Sequence, residues 1–136
     1  MASLPLTGIR VCDLSWIVAG PTCTRVLADF GAEVMKVEHE QALDPLRLGR
    51  PIVDGPPDFN NSGFWAYLNR NKKSVLLNVR HPEGMDLLRR LIVASDVLVE
   101  NFSAGVMASW DLDWPQLREL NPRLVYCSVS GFGHTG

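Results

Sequence analysis

Several features that identify whole classes of protein are missing from this sequence. Its 136 residues contain no apolar run of about 18 residues, so no transmembrane helix is expected. The first eight residues lack a basic segment followed by an apolar one, which argues against a secretory signal. The formal net charge is −2, and no basic patch marks a nucleic-acid surface. The sequence therefore predicts a soluble, cytoplasmic protein that binds neither a membrane nor nucleic acid.

Cysteine and histidine are scarce, and neither shows metal-ligand spacing. The cysteines are odd in number and form no CxxC pair, which argues against a zinc site or a disulfide framework. They are Cys12, Cys23 and Cys127. The histidines, which form no HExxH motif, are His39, His81 and His134. We expect three buried, reduced thiols and no bound metal.

Phosphate-binding and nucleophile motifs are also absent. No GxxxxGK[ST] or GxSxG occurs, which excludes a P-loop and a serine nucleophile elbow. Residues 19–21 read AGP in place of GxGxxG, and Pro21 removes an amide that a pyrophosphate would use. Glu38 falls near the position of a ribose-binding acid, so binding of NAD stays open but is disfavoured. Asp13 is expected to support a helix terminus or a loop, and Lys36 to pair with a carboxylate or reach solvent.

What the sequence does contain is a regular alternation of strand and helix patterns. Five short apolar segments have strand patterns, at residues 9–14, 33–38, 74–79, 96–100 and 124–129. Helices are predicted at residues 21–31, 64–68, 106–110 and 115–120 and from residue 81 onward. The alternation predicts an α/β fold with a Rossmann-like, doubly wound, mainly parallel sheet of about five strands. Residues 39–63 are rich in Pro and Gly and predict a long irregular loop, which is functional or disordered.

Each predicted strand ends in a loop that can face a ligand. In a doubly wound sheet, ligands bind at the carboxyl ends of the strands, near the point where the strand order reverses. The loops concerned are residues 16–20, 38–39, 78–80, 101–103 and 131–133. Together they are expected to form a cleft with apolar walls, exposed backbone amides and a few positive groups. Such a cleft suits an adenine nucleotide.

Four blocks of the sequence resemble one enzyme family, in the same order and over nearly the whole chain. They are residues 6–38 (LTGIRVCDLSWIVAGPTCTRVLADFGAEVMKVE), 69–84 (NRNKKSVLLNVRHPEG), 96–105 (DVLVENFSAG) and 121–136 (NPRLVYCSVSGFGHTG). The chain resembles the family III coenzyme A transferases, which include formyl-CoA and carnitine-type CoA transferases and the α-methylacyl-CoA racemases. The resemblance implies a CoA-binding large domain, acyl-CoA and carboxylic acid substrates, and an interlocked homodimer. It also implies covalent catalysis by an Asp carboxylate, through a mixed anhydride and then an aspartyl-CoA thioester.

Carried over position by position, the resemblance implies a CoA site at the strand ends. Its residues are Val18, Ala19, His39, Leu77, Asn78, Val79, Arg80, Asn101, Phe102 and Ser103. Leu77 and Phe102 are expected to flank the adenine, and Arg80 to meet a phosphate. His39 stands where the family often has Arg, so phosphate binding is expected to be weaker than in a typical relative.

The catalytic carboxylate of the family has no match in this chain. The nucleophilic Asp follows the fourth block, beyond residue 136. We therefore expect residues 1–136 to be a truncated, CoA-binding N-terminal part of the large domain, inactive alone, with residues 131–133 and the region of Arg47 near the thioester. The resemblance leaves open whether the whole enzyme is an acyl-CoA:carboxylate CoA-transferase or an α-methylacyl-CoA racemase. The residues also leave open a stand-alone CoA- or nucleotide-binding module without catalysis.

Overall fold

A parallel β-sheet forms the centre of the molecule. The computed structural model describes residues 3–53, 55–56 and 58–133, which form five strands in one sheet. The strands are β1 (Arg10–Asp13), β2 (Glu33–Glu38), β3 (Lys73–Leu76), β4 (Val97–Glu100) and β5 (Val125–Ser128). Their order is β3-β2-β1-β4-β5, and every neighbouring pair is parallel. This confirms the predicted α/β class and the doubly wound sheet.

The helices begin and end where the sequence gives physical reasons for them to do so. They are α1 (Ala19–Asp29), α2 (Gly63–Asn69), α3 (Pro82–Val93), α4 (Val106–Ser109) and α5 (Trp114–Leu120). In α1, α3 and α5 a proline lies in the first turn, where its missing N–H costs no intrahelical bond. The Ser62 side chain accepts a hydrogen bond from the backbone of Trp65 and caps α2.

The third strand is shorter than predicted. The strand prediction covered residues 74–79, but the strand ends at Leu76, which pairs with Glu38, the last residue of β2. The Leu77 N–H still donates to the Glu38 carbonyl at 2.8 Å, and β2 offers no further partner. Beyond that point the chain turns, with the His81 backbone N–H donating to the carbonyl of Asn78 at 3.1 Å. A Cβ at Gly84 would lie 1.9 Å from that same carbonyl oxygen, so only glycine lets α3 approach the turn so closely.

Each face of the sheet has its own apolar cluster. The helix-side apolar cluster lies under α3, α4 and α5 and contains Cys12, Leu14, Val37, Leu88, Ile92, Leu98, Met107, Leu112, Leu117 and Leu124. The opposite cluster, near α1, is smaller and contains Val11, Ala28, Ala32, Val34 and Val99. Neighbouring positions such as Val11 and Cys12 point to opposite faces, so both faces of the central strands are buried. Burial of each Leu in these clusters stabilises the fold by about 1.5–3 kcal/mol.

The described part of the long segment between β2 and α2 contains local structure. It contains a 3-10 helix, Pro45–Leu48, whose first turn is capped by the side chain of Asp44. An isolated bridge joins His39 to Ala42, and another joins Ile52 to Ser62. These contacts fold the segment back onto the carboxyl ends of β1 and β2, where the candidate site lies.

The cysteines differ in burial, which corrects one sequence-based expectation. Cys12 is buried and Cys127 is half-buried, but Cys23 is exposed. Cys23 lies on α1 and is exposed although its side chain interacts with that of Cys127 on β5, so the prediction of three buried thiols holds fully only for Cys12. All three are free thiols, and burial raises the pKa of Cys12 above its ordinary value. No helix in the described part of the chain is long and apolar enough to cross a membrane.

Candidate functional site

The order of the strands reverses between β1 and β4, and the site is built around that point. Asn101, directly after β4, forms two hydrogen bonds with the backbone of Trp16 in the loop after β1. Its side-chain oxygen accepts the Trp16 N–H at 2.7 Å, and its side-chain nitrogen donates to the Trp16 carbonyl at 2.9 Å. Asn101, implied by the family resemblance to contact CoA, therefore also joins the two loops that flank the switch point.

Asp13, at the end of β1, supports the base of the same loop. Its buried carboxylate accepts from the Ser15 backbone at 3.0 Å, from the Ser15 hydroxyl and from the Thr24 hydroxyl of α1 at 2.7 Å. The Lys72 ammonium lies 3.0 Å from the same carboxylate. Burial lowers the pKa of Lys72, and the Asp13 charge opposes that effect. Asp13 thus supports the loop, as predicted, and joins it to the middle of α1.

A second buried ion pair holds the middle of the loop. Lys36 of β2 lies 3.5 Å from a carboxylate oxygen of Asp44, and both side chains are buried. Lys36 also donates to the Ser15 carbonyl, and Asp44 accepts from the Ile17 N–H at 2.8 Å. The prediction that Lys36 pairs with a carboxylate is confirmed. We call Asp13, Ser15, Lys36, Asp44 and Lys72 the strand-end polar cluster.

The backbone of Ile17 adopts a conformation that its side chain disfavours. Its φ is 65°, in the left-handed region, which costs a β-branched residue on the order of 1–2 kcal/mol. The side chain remains 48% exposed, so burial of apolar surface does not explain the conformation. The hydrogen bonds to the loop backbone hold it there instead.

The strained loop leads directly into the start of α1. Gly20 is packed so tightly against Ser15 that a Cβ would lie 2.2 Å from the Ser15 Cβ. No side chain of the described residues caps the helix at Val18. Unsatisfied N–H groups at a helix start attract an anion, so the backbone near Ala19 is suited to a phosphate.

An apolar slot of about 70 Å³ lies on one side of this loop. Its walls are mainly aromatic and aliphatic, and it is lined by Leu14, Trp16, Val37, Glu38, His39, Leu77, Val79, Phe102 and Trp110. The rings of Phe102 and Trp110 meet edge to face, 5.3 Å apart. Such a slot suits the face of a flat heterocycle.

His39 contributes a polar group to the slot. Its Nδ1 accepts a hydrogen bond from the Gln41 backbone at 3.0 Å, which places the proton of the neutral ring on Nε2. Nε2 is buried and has no hydrogen-bond partner among the described residues. The imidazole therefore offers a donor that a bound molecule can satisfy.

A wider cleft of about 650 Å³ lies at the carboxyl ends of β4 and β5. It is lined by Ala19, Asn101, Phe102, Ser103, Ala104, Val129, Ser130, Gly131, Phe132 and Gly133. Phe102 also lines the slot, so the two spaces are neighbours. Phe132 is 91% exposed at the rim. His134 lies outside the described residues.

Seven of the ten residues implied by the family resemblance line the slot or the cleft: Ala19, His39, Leu77, Val79, Asn101, Phe102 and Ser103. The others, Val18, Asn78 and Arg80, are exposed at strand-end loops but line neither space. The Asn78 side chain accepts from the Arg80 N–H at 3.0 Å and shapes that turn. Trp16 lay in a predicted strand-end loop but was not named as a CoA contact, and it lines the slot. Sequence reasoning missed Trp110, which comes from beyond α4 with no local signal.

Glu38 and Arg47, which the sequence singled out for other reasons, form a buried ion pair. Glu38 is buried and bonded to Arg47 by both carboxylate oxygens, which leaves it poorly placed to bind the ribose of NAD. Arg47 in turn donates to the Phe59 carbonyl and stacks on Trp65 at 3.9 Å, so its guanidinium anchors the long segment. In residues 3–53, 55–56 and 58–133, no group of His, Cys, Asp or Glu is arranged to hold a metal ion.

The fold and site define a doubly wound α/β protein with an apolar slot beside a helix start at its switch point. The chain belongs to CoA-transferase family III, whose family model matches residues 6–136. It is 45% identical over 98% of its length to the succinyl-CoA–L-malate CoA-transferase beta subunit of Chloroflexus aurantiacus, covering 32% of that protein. It is 43% identical over 97% of its length to the succinate–glutarate CoA-transferase of Agrobacterium fabrum, covering 34% of that protein.

A solved structure agrees with this assignment. A CAIB/BAIF family protein from Brucella suis superposes with a TM-score of 0.89 and 39% identity, over 99% of this chain and 35% of that one. The chain thus spans about a third of the length of these relatives.

Proposed function

We propose that this chain binds coenzyme A at the carboxyl ends of its strands, as the N-terminal part of an acyl-CoA:carboxylate CoA-transferase. The observation that carries the proposal is the pair of neighbouring spaces at the sheet's switch point: the apolar slot, and the wider cleft that Ala19 lines at the uncapped start of α1. The slot matches the adenine, and the first backbone N–H groups of α1 match a phosphate of the same ligand.

In this proposal each part of CoA has a distinct environment. The adenine lies against Trp16 and Phe102, and the His39 Nε2–H donates to it. The phosphates lie near Ala19 at the start of α1, and Arg80 is the one Arg or Lys among the ten predicted contacts. The pantetheine extends into the wider cleft by Phe132. Because the phosphates are bound mainly by backbone N–H groups and few charged side chains, the affinity for phosphate is modest.

Covalent chemistry is not assigned to any carboxylate of this chain. Among the described residues, the most deeply buried carboxylates already have partners inside the protein. Asp13 and Asp44 are paired with lysines, Glu38 with Arg47, and Glu100 with the Tyr126 hydroxyl at 2.8 Å. These contacts support a binding role, with the nucleophilic Asp supplied by other sequence of the enzyme. An α-methylacyl-CoA racemase remains the alternative for the whole enzyme.

The substrates follow from the relatives as a proposal. The names of the two relatives describe transfer of CoA between succinate and a second carboxylic acid, so we propose acyl-CoA and carboxylic acid substrates. The homodimeric whole enzyme that we also propose rests on the family resemblance alone, since relatives named as alpha and beta subunits indicate two kinds of chain in those enzymes. Sedimentation of the full enzyme tests the last point, since a monomer at micromolar concentration would contradict it.

Calorimetric titration of this chain with CoA tests the binding proposal. We expect saturable binding of CoA, weaker binding of 3′-dephospho-CoA and no comparable binding of NADH. Phe102→Ala should weaken CoA binding about tenfold, because stacking on a base is worth about 1–3 kcal/mol. Phe30→Ala, an exposed ring at the end of α1, is the matched control. No heat at millimolar CoA, or NADH binding as tight as CoA binding, would contradict the proposal.

A further inference from the structure

The strained residue Ile17 sits at the centre of the loop that leads into α1. Its φ of 65° is disfavoured for a branched side chain, and that side chain is largely exposed. A strained conformation persists only where its surroundings impose it, and such conformations cluster at ligand-binding sites. The question is therefore which group imposes the conformation, and what the conformation achieves.

Asp44 is the group that holds Ile17. One oxygen of its carboxylate accepts the Ile17 N–H at 2.8 Å, and the other accepts the Leu46 N–H at 3.0 Å. The first oxygen also lies 3.5 Å from the Lys36 ammonium, and Asp44 is buried. Asp44 therefore connects the 3-10 helix of the long segment to the loop after β1, 27 residues away in sequence.

Lys36 holds the same loop at Ser15, two residues before Ile17. It projects from β2, donates to the Ser15 carbonyl and lies 5.5 Å from the ring centre of Trp65. The Lys36–Asp44 pair thus contacts the loop at both Ser15 and Ile17. Together with the Asn101 side chain on Trp16, it fixes the backbone of three consecutive residues.

We propose that Asp44 is a positioning residue for CoA. By forcing Ile17 into the left-handed region, it directs the backbone of Val18 and Ala19 toward the phosphates. This inference rests on the proposed CoA-binding function. It assigns to the long segment between β2 and α2 a role in binding, through a carboxylate that does not touch the ligand.

The test compares Asp44→Asn with a double variant, Asp44→Asn/Ile17→Gly. Asp44→Asn should raise the Kd for CoA on the order of tenfold, which corresponds to ~1.4 kcal/mol. Glycine adopts positive φ without strain, so the double variant should recover roughly half of that loss on a logarithmic scale. The matched control is Ser62→Ala, which removes a buried helix cap from the same segment but does not touch the loop. It should lower the Tm without changing the Kd.

Amide hydrogen exchange of the ligand-free chain gives a second readout that does not depend on CoA. The Ile17 N–H should be protected in the parent and in Ser62→Ala, and should lose protection in Asp44→Asn. If the parent binds no CoA, the proposed function fails, and exchange alone decides whether Asp44 holds the loop. An unchanged Kd in Asp44→Asn, or no recovery in the double variant, would overturn the inference. Unchanged Ile17 protection in Asp44→Asn would overturn it as well.

Discussion

The helix-side apolar cluster and the strand-end polar cluster are equally buried but are held together by different forces. In the helix-side apolar cluster, Leu88 and Ile92 are fully buried among other aliphatic side chains. In the strand-end polar cluster, Asp13 and Lys36 are just as inaccessible to water, but they are charged and hydrogen-bonded. Apolar burial has no direction and stabilises any well-packed arrangement, whereas hydrogen bonds fix particular atoms.

The difference matches the position of each region. The apolar cluster lies beneath α3, α4 and α5, where burial stabilises the fold without fixing particular polar atoms. The polar cluster lies at the ends of β1 and β2, where its hydrogen bonds fix the backbone of Ser15 and Ile17. Apolar burial and precise loop geometry therefore come from separate parts of the same sheet.

The largest effect is expected on breaking the buried pair with Lys36→Met. Removal of one partner leaves a buried charge, which costs about 3–5 kcal/mol of unfolding free energy. Chemical denaturation measures the loss. The matched control is Lys73→Met, whose exposed pair with Glu33 should contribute little to stability.

A double variant, Lys36→Met/Asp44→Leu, sharpens the comparison further. Replacement of a whole buried pair by apolar residues is often neutral, so most of the lost stability should return. CoA binding should remain weak, because no acceptor holds the Ile17 N–H. Recovery of both stability and binding would show that the polar cluster has no positional role.

The apolar cluster should show the opposite behaviour. Leu88→Ala should lower the unfolding free energy by about 2–5 kcal/mol, because it leaves a cavity in a fully buried site. The folded fraction should bind CoA with unchanged affinity in calorimetry. Leu87→Ala, at the adjacent exposed position of α3, provides the control and should change stability little. A large loss of affinity in Leu88→Ala would break the proposed separation.

The smallest effect is expected at the surface link between α1 and α2. Hydrogen bonds from Arg70 hold the pKa of Asp29 below its ordinary value. The stabilisation is therefore present above the unfolded-state pKa of Asp29 and is lost as pH falls through the lowered value. Arg70→Gln should move the pKa of Asp29 upward in a carboxyl NMR titration, while Arg118→Gln on α5 should not. Stability of Arg70→Gln and parent should converge in acid; a constant difference would contradict this account.

The sequence predicted the fold well because the fold depends on short-range patterns. Strand β2 has the predicted bounds, and prolines marked the starts of α1, α3 and α5. The end of β3 was misplaced because it depends on where the partner strand β2 ends, at Glu38, which the pattern of residues 74–79 does not show.

The site was predicted only in part, for a related reason. The strand-end loops were found, since topology places them together. The links between them were not, because Asp44 and Ile17 meet only after the long segment folds back. Trp110 is another example, as it reaches the slot from a different helix connection.

The double hydrogen bond between Asn101 and Trp16 has one more consequence. The amide side chain offers the same donor and acceptor as a peptide group, so it extends the hydrogen-bond ladder of β1 and β4 by one rung. That rung forms only when the two strands are correctly aligned. The geometry of the candidate site therefore depends on the alignment of the central strands. A chain in which β1 and β4 were shifted by one residue would lose the Asn101–Trp16 contact as well as the packing of its core.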